Sequence, residues 1–328
     1  MHCTDTYRLN LMKKLLGLIF VALIGLAQSC LAQEKTIHLV FIPKSSDQVF
    51  WDLMREGVDR AVQEDGRVKL TWRGPAHNDD TGSQIRIVET YTRSDVDAIL
   101  ITPTDRTLLL DPIRAATAVG IKVIVVDSGL DGAYHVNMVA TDNLRAGRMA
   151  AKRIAELLGN QGRVMVLRTV AGSASTDERA EGFLSYLKEN APRIEVMEDI
   201  YGGGSVGKSR NSALAMLQRN PGIGGVFAVN ESATDGMLRA LHDKGLAGKV
   251  RFVGFDSTEL LNQALQKREI DALVIQNPQQ MGYMAVKAAI GAVRNTPLKD
   301  KMVFTDTMLL TRENMNSAEV KKLLCVRC

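Results

Sequence analysis

Short apolar runs alternate with helix-period segments along almost the whole chain from Lys35 onward, and no other feature restricts the fold as much. The apolar runs are rich in Val and Ile, which is typical of parallel strands covered on both faces. They comprise residues 37–42, 68–72, 98–101, 122–126, 164–167, 194–197, 225–229, 251–254 and 272–275. The segments between them carry apolar residues three or four positions apart, as in Trp51, Met54 and Val58. This alternation predicts right-handed β-α-β units around parallel sheets.

The alternating pattern restarts near the middle of the chain, where residues 136–140 lead into Thr141 and Asp142. The units that follow repeat the rhythm of the first set, and no low-complexity linker separates the two sets. A chain of 328 residues also exceeds what one hydrophobic core usually serves. We therefore predict an α/β fold of two doubly wound parallel-sheet lobes facing each other across a cleft. In such sheets ligands bind outside the carboxyl ends of the strands.

The first 32 residues have the layout of a secretory signal. Met12 and two lysines form a basic start, residues 15–27 are apolar, and small or polar residues continue to Ala32. The apolar run is shorter than the about 20 residues that a membrane span requires. We predict that residues 1–32 are removed from a soluble periplasmic protein. A buried N-terminal helix and a lipid anchor through Cys30 are the alternatives, and either Met1 or Met12 is the start.

Charge and cysteine content argue against two classes of function. The net charge is +4, and no stretch concentrates basic residues, so no nucleic-acid partner is predicted. Cys325 and Cys328 form a single C-x-x-C without the second pair of a structural zinc site, so a local disulfide or two free thiols are expected. No nucleophile-base pair, metal-ligand spacing or G-x-G-x-x-G after a strand is present. We therefore predict no catalytic residue, no metal and no cofactor.

Polar and aromatic side chains collect at the carboxyl ends of the predicted strands in both halves. The candidates are Lys44, Phe50, Trp51, Thr102, Asp127, Ser128, Arg179 after residues 169–175, Asn230, Asp256 and Gln276. A monosaccharide requires this mixture, because each hydroxyl is both donor and acceptor and charged partners bind it more strongly than neutral ones. The aromatic faces can pack on the C–H face of a sugar ring.

Each candidate also has a purely structural interpretation. Asp and Asn at strand ends commonly cap the following helix. Phe50 and Trp51 at a helix start are commonly core residues, and Arg179 could form a surface ion pair of little energetic value. The repeated placement at strand ends, rather than any single residue, favours a binding site.

Five segments carry a resemblance to a known family. VNESATDGMLRAL, FVGFDSTE, ITPTD, ASTDERAEGF and IQNPQQMGY resemble the ribose-type periplasmic binding proteins of ABC sugar importers, from about Thr36 to about Leu324. The resemblance implies a type I fold with two lobes, joined by a three-crossover hinge, that close on the ligand. The implied N-terminal lobe comprises residues 33–141 and 277–303, and the C-terminal lobe comprises residues 142–276 and 304–328.

The resemblance also implies roles for the candidate residues. Phe50 and Trp51 would stack on the sugar, and Asp127 would bind its hydroxyls. The second lobe would contribute Arg179 in R-x-x-G-F, Tyr201 from a loop that reaches the cleft, Asn230, Asp256 and Gln276.

Three positions depart from the pattern of ribose binders. These have a small polar residue at the position of Lys44, Asn at that of Thr102 and Arg at that of Ser128. Lys44 in FIPK resembles the opening of receptors for the autoinducer-2 signal, whose other ligand residues do not match clearly. The predicted ligand is therefore a different pentose, a hexose, or an oxidised or polyol relative.

The segment GGGSVGKS, residues 202–209, matches the phosphate-binding pattern G-x-x-x-x-G-K-[ST] of nucleotide hydrolases. Such enzymes hold Mg²⁺ with the Ser and an aspartate after another strand, and Asp127 and Asp256 each follow an apolar run. The export signal argues against this function, because little ATP exists outside the cytoplasm.

Taken together, the residues and the resemblance predict a non-enzymatic, monomeric solute receptor that closes on a sugar-like ligand and delivers it to the membrane permease of an ABC importer. A signalling receptor of the same fold, with a chemoreceptor or sensor kinase as partner, is the first alternative. A nucleotide hydrolase is the second. A sugar-responsive repressor is disfavoured, because an export segment stands where a helix-turn-helix would be.

Overall fold

Two six-stranded sheets organise residues 35–324, the part of the chain that the computed structural model describes. Both sheets belong to the unit that begins at Ile37. The predicted signal peptide at 1–32, with Cys30, lies outside the described residues, as do Cys325 and Cys328. Among residues 35–324, no helix combines the length and the apolar character needed to cross a membrane.

Strands and helices alternate as the sequence predicted. The strands are β1 Ile37–Ile42, β2 Val68–Trp72, β3 Ala98–Ile101, β4 Lys122–Val126, β5 Asn137–Ala140, β6 Gln161–Arg168, β7 Arg193–Tyr201, β8 Gly225–Ala228, β9 Arg251–Phe255, β10 Ala272–Gln276, β11 Met302–Phe304 and β12 Thr307–Leu310. The helices are α1 Val49–Asp65, α2 Thr81–Thr92, α3 Leu110–Ala118, α4 Asn143–Leu157, α5 Ala174–Asn190, α6 Val206–Arg219, α7 Glu231–Asp243, α8 Glu259–Gln266, α9 Pro278–Val293 and α10 Ala318–Leu324.

The first sheet has the order β2-β1-β3-β4-β5-β11, and all neighbours are parallel. Its two faces are covered by different helices. Leu39 and Phe41 of β1 pack in the cluster that includes α1 and α9, whereas Val40 and Ile42 pack in the cluster that includes α2 and α3. Because side chains on both faces of a central strand are buried under helices, apolar residues follow one another along the strand. The sequence therefore shows these strands as unbroken apolar runs.

The second sheet has the order β7-β6-β8-β9-β10-β12 and is likewise covered on both faces. Its strands are parallel except β12, which pairs antiparallel with β10. The predicted parallel arrangement therefore holds for all neighbouring strands except this edge pair. Strand β12 follows β11 of the first sheet after only two residues. No helix lies between them to carry the chain back to the end at which β10 begins, so β12 runs in the opposite direction to β10.

The chain passes between the two sheets three times. The passages are residues 141–142 between β5 and α4, Asn277 between β10 and α9, and residues 305–306 between β11 and β12. The last passage lies beyond the predicted lobe boundary between residues 303 and 304, because Phe304 still pairs with Ala140 of the first sheet. Strand β11 is apolar but only three residues long, and its Met302 and Phe304 are exposed.

Candidate functional site

A cavity lies beyond the carboxyl ends of strands from both sheets. The predicted residues around it are Lys44, Phe50, Trp51, Asp127, Arg179, Asn230, Asp256 and Gln276. The lining encloses about 380 Å³ including the opening to solvent, and the centre of a water molecule can reach about 20 Å³ of this space. A single water requires ~10–15 Å³ on the latter measure. The side chains of the two lobes therefore fill most of the space, and direct contacts such as Lys44 Nζ with Ser173 Oγ at 2.9 Å join the lobes across it.

Three predicted site residues are not brought to this cavity. Thr102 is fully buried behind β3, where its carbonyl accepts a hydrogen bond of 2.8 Å from Gln84. Ser128 Oγ accepts from the backbone N–H of Ser175 at 3.2 Å, so it supports the lining rather than forming it. Tyr201 is 46% exposed and donates to Asp177 Oδ1 at 3.0 Å. Its strand, β7, is the outer strand of the second sheet, and this keeps Tyr201 away from the centre of the cleft.

Several lining residues were not predicted from the sequence. They are Gln48, Asn78, Thr169, Val170, Ser173, Ser175 and Thr176. The sequence marks residues 169–175 only as the segment that leads to Arg179. Gln48 immediately precedes α1 and was a recognisable candidate, whereas Asn78 lies in the loop after β2, where no strand-end pattern pointed to it.

Two carboxylates occupy corresponding positions in the two lobes. Asp127 directly follows β4 and Asp256 directly follows β9, and both have left-handed backbones, with φ of 61° and 69°. Asp tolerates this conformation better than most residues, but it still costs about 1–3 kcal/mol. Such strain is typical of functional sites, and it accompanies the placement of both carboxylates in the cavity.

Arg179 of α5 lines the cavity on the side of the second lobe. Its guanidinium donates to Asn143 Oδ1 at 2.9 Å and to the carbonyl of Val229 at 3.0 Å, and it lies 3.8 Å from the ring centroid of Phe255. Asp127 Oδ1 is 3.9 Å away, which is longer than a direct hydrogen bond. Burial lowers the pKa of Arg179 from its usual value, but arginine still remains charged. A permanent cation thus faces the cavity.

Gln276 connects Arg179 to the second carboxylate. Its Oε1 accepts from Arg179 Nη2 at 2.9 Å and from Thr141 Oγ1 at 2.8 Å, and its Nε2 donates to Asp256 Oδ1 at 2.6 Å. Asp256 Oδ2 accepts from the backbone N–H of Glu231 at 2.8 Å. Burial raises the pKa of Asp256, although Arg179 and Gln276 oppose the shift. This continuous network holds the two charged groups at fixed positions.

Lys44 reaches across the cavity from the end of β1. Its Nζ donates to Ser173 Oγ at 2.9 Å and to Ser175 Oγ at 3.0 Å, and it lies 3.8 Å from Asp127 Oδ2. Burial lowers the pKa of Lys44 to about 8, with Asp127 opposing the shift. The ammonium is therefore mostly protonated at pH 7 and joins the first lobe to the start of α5.

Phe50 and Trp51 pack in the hydrophobic core under α1 and also line the cavity. Their rings form an edge-to-face pair 4.9 Å apart. Trp51 Nε1 donates to Ser45 Oγ at 2.9 Å, which fixes the orientation of the indole. Asn230 likewise has two roles, since its Oδ1 caps α7 by accepting from Ala233 N at 3.1 Å.

Two buried amide atoms at the cavity have no hydrogen-bond partner among the described residues. They are Nε2 of Gln48, a donor, and Oδ1 of Asn78, an acceptor. Both side chains are more than nine-tenths buried. A buried polar atom without a partner costs about 1–3 kcal/mol. This cost is recovered if a ligand supplies the missing acceptor and donor.

Close helix packing fixes the position of Arg179. Gly147 of α4 faces the backbone of Arg179, and Gly182 of α5 faces the backbone of Leu144. A Cβ at Gly147 would overlap the carbonyl oxygen of Arg179 and lie 2.8 Å from its carbonyl carbon. The absence of side chains at these two glycines lets α5 approach α4 closely enough to place Arg179 at Asn143.

Glu231 links the second lobe to the first at the edge of the cavity. Its carboxylate accepts from the backbone N–H groups of Val49 at 3.1 Å and Phe50 at 3.0 Å, at the start of α1. Burial, with a contribution from nearby Asp256, raises the pKa of Glu231 to about 7. The residue therefore titrates near neutral pH while it holds the two lobes together.

This raised pKa predicts a pH dependence of stability. Because the folded-state pKa exceeds the ordinary value of 4.5, the contribution of Glu231 is complete below about pH 4.5 and is lost as the pH rises to about 7. Relative to the wild type, Glu231→Gln should gain stability between pH 5 and pH 7.5. Urea unfolding of both proteins at the two pH values measures this gain. An equal difference at both values would contradict the assigned pKa.

GGGSVGKS comprises the loop after β7 and the first turn of α6, and it lacks the arrangement of a phosphate site. Ser209, which would bind Mg²⁺, is fully buried and donates to the carbonyl of Gly203 at 3.3 Å. Lys208 Nζ binds Asp79 of the first lobe at 2.6 Å. The two aspartates considered as metal ligands, Asp127 and Asp256, lie in the cavity described above. Within residues 35–324, no three His, Cys, Asp or Glu side chains are grouped to hold a metal ion.

Comparison with known proteins agrees with this geometry. The family model described as "Periplasmic binding protein domain" matches residues 39–297. The ribose import binding protein RbsB of Bacillus subtilis (strain 168) is 29% identical over 240 residues, which cover 73% of this chain and 76% of that protein.

Two solved structures are also similar. The periplasmic component of an ABC-type sugar transport system from Hahella chejuensis is 35% identical, with a TM-score of 0.80, over 84% of this chain and 100% of that one. A solute-binding protein of an ABC transporter from Agrobacterium vitis, solved with bound D-fucose, is 29% identical, with a TM-score of 0.85, over 88% and 99% of the two chains.

Proposed function

Because this chain belongs to the periplasmic binding protein domain family, we propose that it is the non-enzymatic, extracytoplasmic receptor of an ABC-type importer and binds one monosaccharide or related polyol. The single observation that carries the proposal is the closed cavity in which Gln48 and Asn78 present unpartnered amide atoms beside two carboxylates and two cations. Sugar hydroxyls both donate and accept, so one neutral ligand can partner these groups once the lobes separate enough to admit it.

The distribution of the lining between the two lobes supports a closing mechanism. Lys44, Trp51 and Asp127 lie in the first lobe, whereas Arg179 and Asp256 lie in the second. A ligand contacts both sets only when the cleft is closed, so it stabilises the closed state by its differential affinity. The permease of the importer then distinguishes loaded from unloaded receptor by shape.

The remaining parts of the proposal concern location and partners. Export through residues 1–32 places the receptor in the periplasm, as a monomer that requires no cofactor. Delivery to a permease is the leading role. A chemoreceptor or sensor kinase that reads the same closed shape is the alternative, and lipid attachment at Cys30 is the alternative to a freely soluble form.

Ligand binding tests the proposal directly. Residues 33–328 should be titrated calorimetrically with D-ribose, D-allose, D-arabinose, D-fucose, autoinducer-2 and Mg-ATP. We expect one sugar to bind and to raise the thermal midpoint, because saturation at 100 times Kd adds about 2.7 kcal/mol to the free energy of unfolding. Mg-ATP should have no effect.

Asp127→Asn provides the matched variant for this test. Asn tolerates the left-handed backbone at this position, but it lacks the charge, and charge-assisted hydrogen bonds contribute about 1.5–3 kcal/mol. Binding should therefore weaken about 10- to 150-fold. Asp243→Asn, at an exposed pair with Arg210, should leave affinity unchanged. Binding of Mg-ATP that is lost in Lys208→Ala, or no effect of Asp127→Asn on sugar affinity, would refute the proposal.

A further inference from the structure

The glycine loop before α6 touches the opposite lobe. Gly204 lies against Asp79, which belongs to the loop between β2 and α2 of the first lobe. A Cβ on Gly204 would be 2.8 Å from Asp79 N and 3.0 Å from its Cγ. Since any side chain would intrude here, the contact requires glycine at this position.

Lys208 completes the same contact from the first turn of α6. Its Nζ donates to Asp79 Oδ2 at 2.6 Å. Ser205 caps the helix by accepting from Lys208 N. The stem of Lys208 folds over Gly203, where a Cβ would be only 2.7 Å from that of Lys208. The loop and the cap thus direct the ammonium at Asp79.

The contacted loop of the first lobe is also a wall of the binding cavity. Asn78, next to Asp79, is the residue whose buried Oδ1 has no partner among the described residues. His77 Nδ1 lies 2.7 Å from Asp47 Oδ2, and Asp47 precedes Gln48, the second residue with an unpartnered amide atom. Asp79, which Lys208 binds, is therefore adjacent to Asn78 in the chain and is connected to Gln48 through His77 and Asp47.

We propose that Gly204 and Lys208 form a clasp that binds Asp79 when the cleft closes and so positions Asn78 and Gln48 on the ligand. The clasp rests on the proposed receptor function and assigns the GGGSVGKS segment a role in closure in place of phosphate binding. Gly204 and Lys208 are positioning residues, since they act through the loop and do not touch the ligand.

The exposure of the Lys208–Asp79 ion pair determines how much its loss should weaken ligand affinity. Lys208 is exposed, and exposed ion pairs contribute about 0.2–1 kcal/mol, which corresponds to about 1.4- to 5-fold in affinity. Because the clasp forms only in the closed state, its loss should raise the dissociation rate of the ligand and leave the association rate nearly unchanged. High salt should weaken the Lys208–Asp79 ion pair, because the Debye length falls to about 3 Å at 1 M.

Two glycines of the segment form a matched pair for the test. Gly204→Ala places its Cβ against the backbone of Asp79, whereas a Cβ at Gly207 meets nothing within 4 Å, and neither residue has a left-handed backbone. With the sugar of the panel that binds the wild type most tightly, Gly204→Ala should weaken affinity about tenfold or more through faster dissociation. Gly207→Ala should bind like the wild type. Cooperative urea unfolding of both variants shows that they fold.

A double-mutant cycle tests the charged part of the clasp. Lys208→Ala and Asp79→Ala should each weaken binding about two- to fivefold, and the double variant should be no weaker than the single ones, because both remove one interaction. Arg210→Ala is the control. It also removes a cation from α6, but the partner of Arg210, Asp243, lies in the second lobe with it, so no contact between the lobes is lost. The effects of Lys208→Ala and Asp79→Ala should vanish in 1 M salt.

The outcomes separate the two proposals. If the wild type binds a panel sugar but Gly204→Ala dissociates as slowly as Gly207→Ala, the clasp is wrong and the receptor function stands. Additive losses in the double variant would also overturn the clasp. If the wild type binds neither the panel sugars nor other pentoses and hexoses nor the corresponding polyols and sugar acids, the receptor function fails and the clasp fails with it.

Discussion

Arg179→Ala is expected to lower the free energy of unfolding by about 3–5 kcal/mol and to abolish sugar binding. The guanidinium is 2% exposed and donates to Asn143, to the Val229 carbonyl and to Gln276. Truncation leaves Asn143 Oδ1 and the Val229 carbonyl buried without this donor, whereas Gln276 Oε1 keeps the hydroxyl of Thr141. It also removes the cation whose charge offsets Asp127 and Asp256 in the cavity.

Urea unfolding and calorimetric titration with the bound sugar measure the two losses separately. Arg179→Lys should fall between the wild type and the alanine variant, because it retains the charge but cannot reach all three acceptors in the planar geometry of arginine. Arg148→Ala is the control, since Arg148 joins α4 to Glu189 of α5 at the exposed surface. Wild-type affinity in a folded Arg179→Ala protein would contradict the assigned site.

Gly147→Ala should destabilise the protein by about 1–3 kcal/mol or more and weaken sugar binding in the same variant. The new Cβ would overlap the backbone oxygen of Arg179, and a backbone atom cannot move aside by changing rotamer. Helix α5 must therefore separate from α4, and this displaces Arg179 from its hydrogen bonds.

The urea midpoint and the sugar affinity of Gly147→Ala are compared with those of Gly207→Ala. A Cβ at Gly207 has open space, and alanine is favoured over glycine in a helix by about 1 kcal/mol, so this control should be as stable as the wild type or more stable. A Gly147→Ala protein with unchanged midpoint would mean that the close approach of the two helices is not required.

The sequence predicted most of the candidate cavity because strand ends are a local feature. Asp127 and Asp256 follow unbroken apolar runs, and parallel sheets direct ligands to that end of their strands. Thr102 also follows such a run, but it is fully buried and does not line the cavity, and the position of a residue at a strand end does not reveal whether its side chain reaches the cavity. Tyr201 ends an edge strand, which a linear pattern cannot distinguish from a central one.

The sequence by itself determined the two-lobed α/β architecture, since strands buried on both faces must be apolar at every position. The residues at strand ends and the family resemblance then indicated a binding site of mixed charge. Only the tertiary structure decided which side chains share the cavity, as Asn78 and Ser173 approach it from opposite lobes. It likewise decided the role of GGGSVGKS, whose lysine meets Asp79, a residue 129 positions earlier in the chain. Such contacts depend on how the lobes pack, and no local pattern encodes the distance between residues so far apart in sequence.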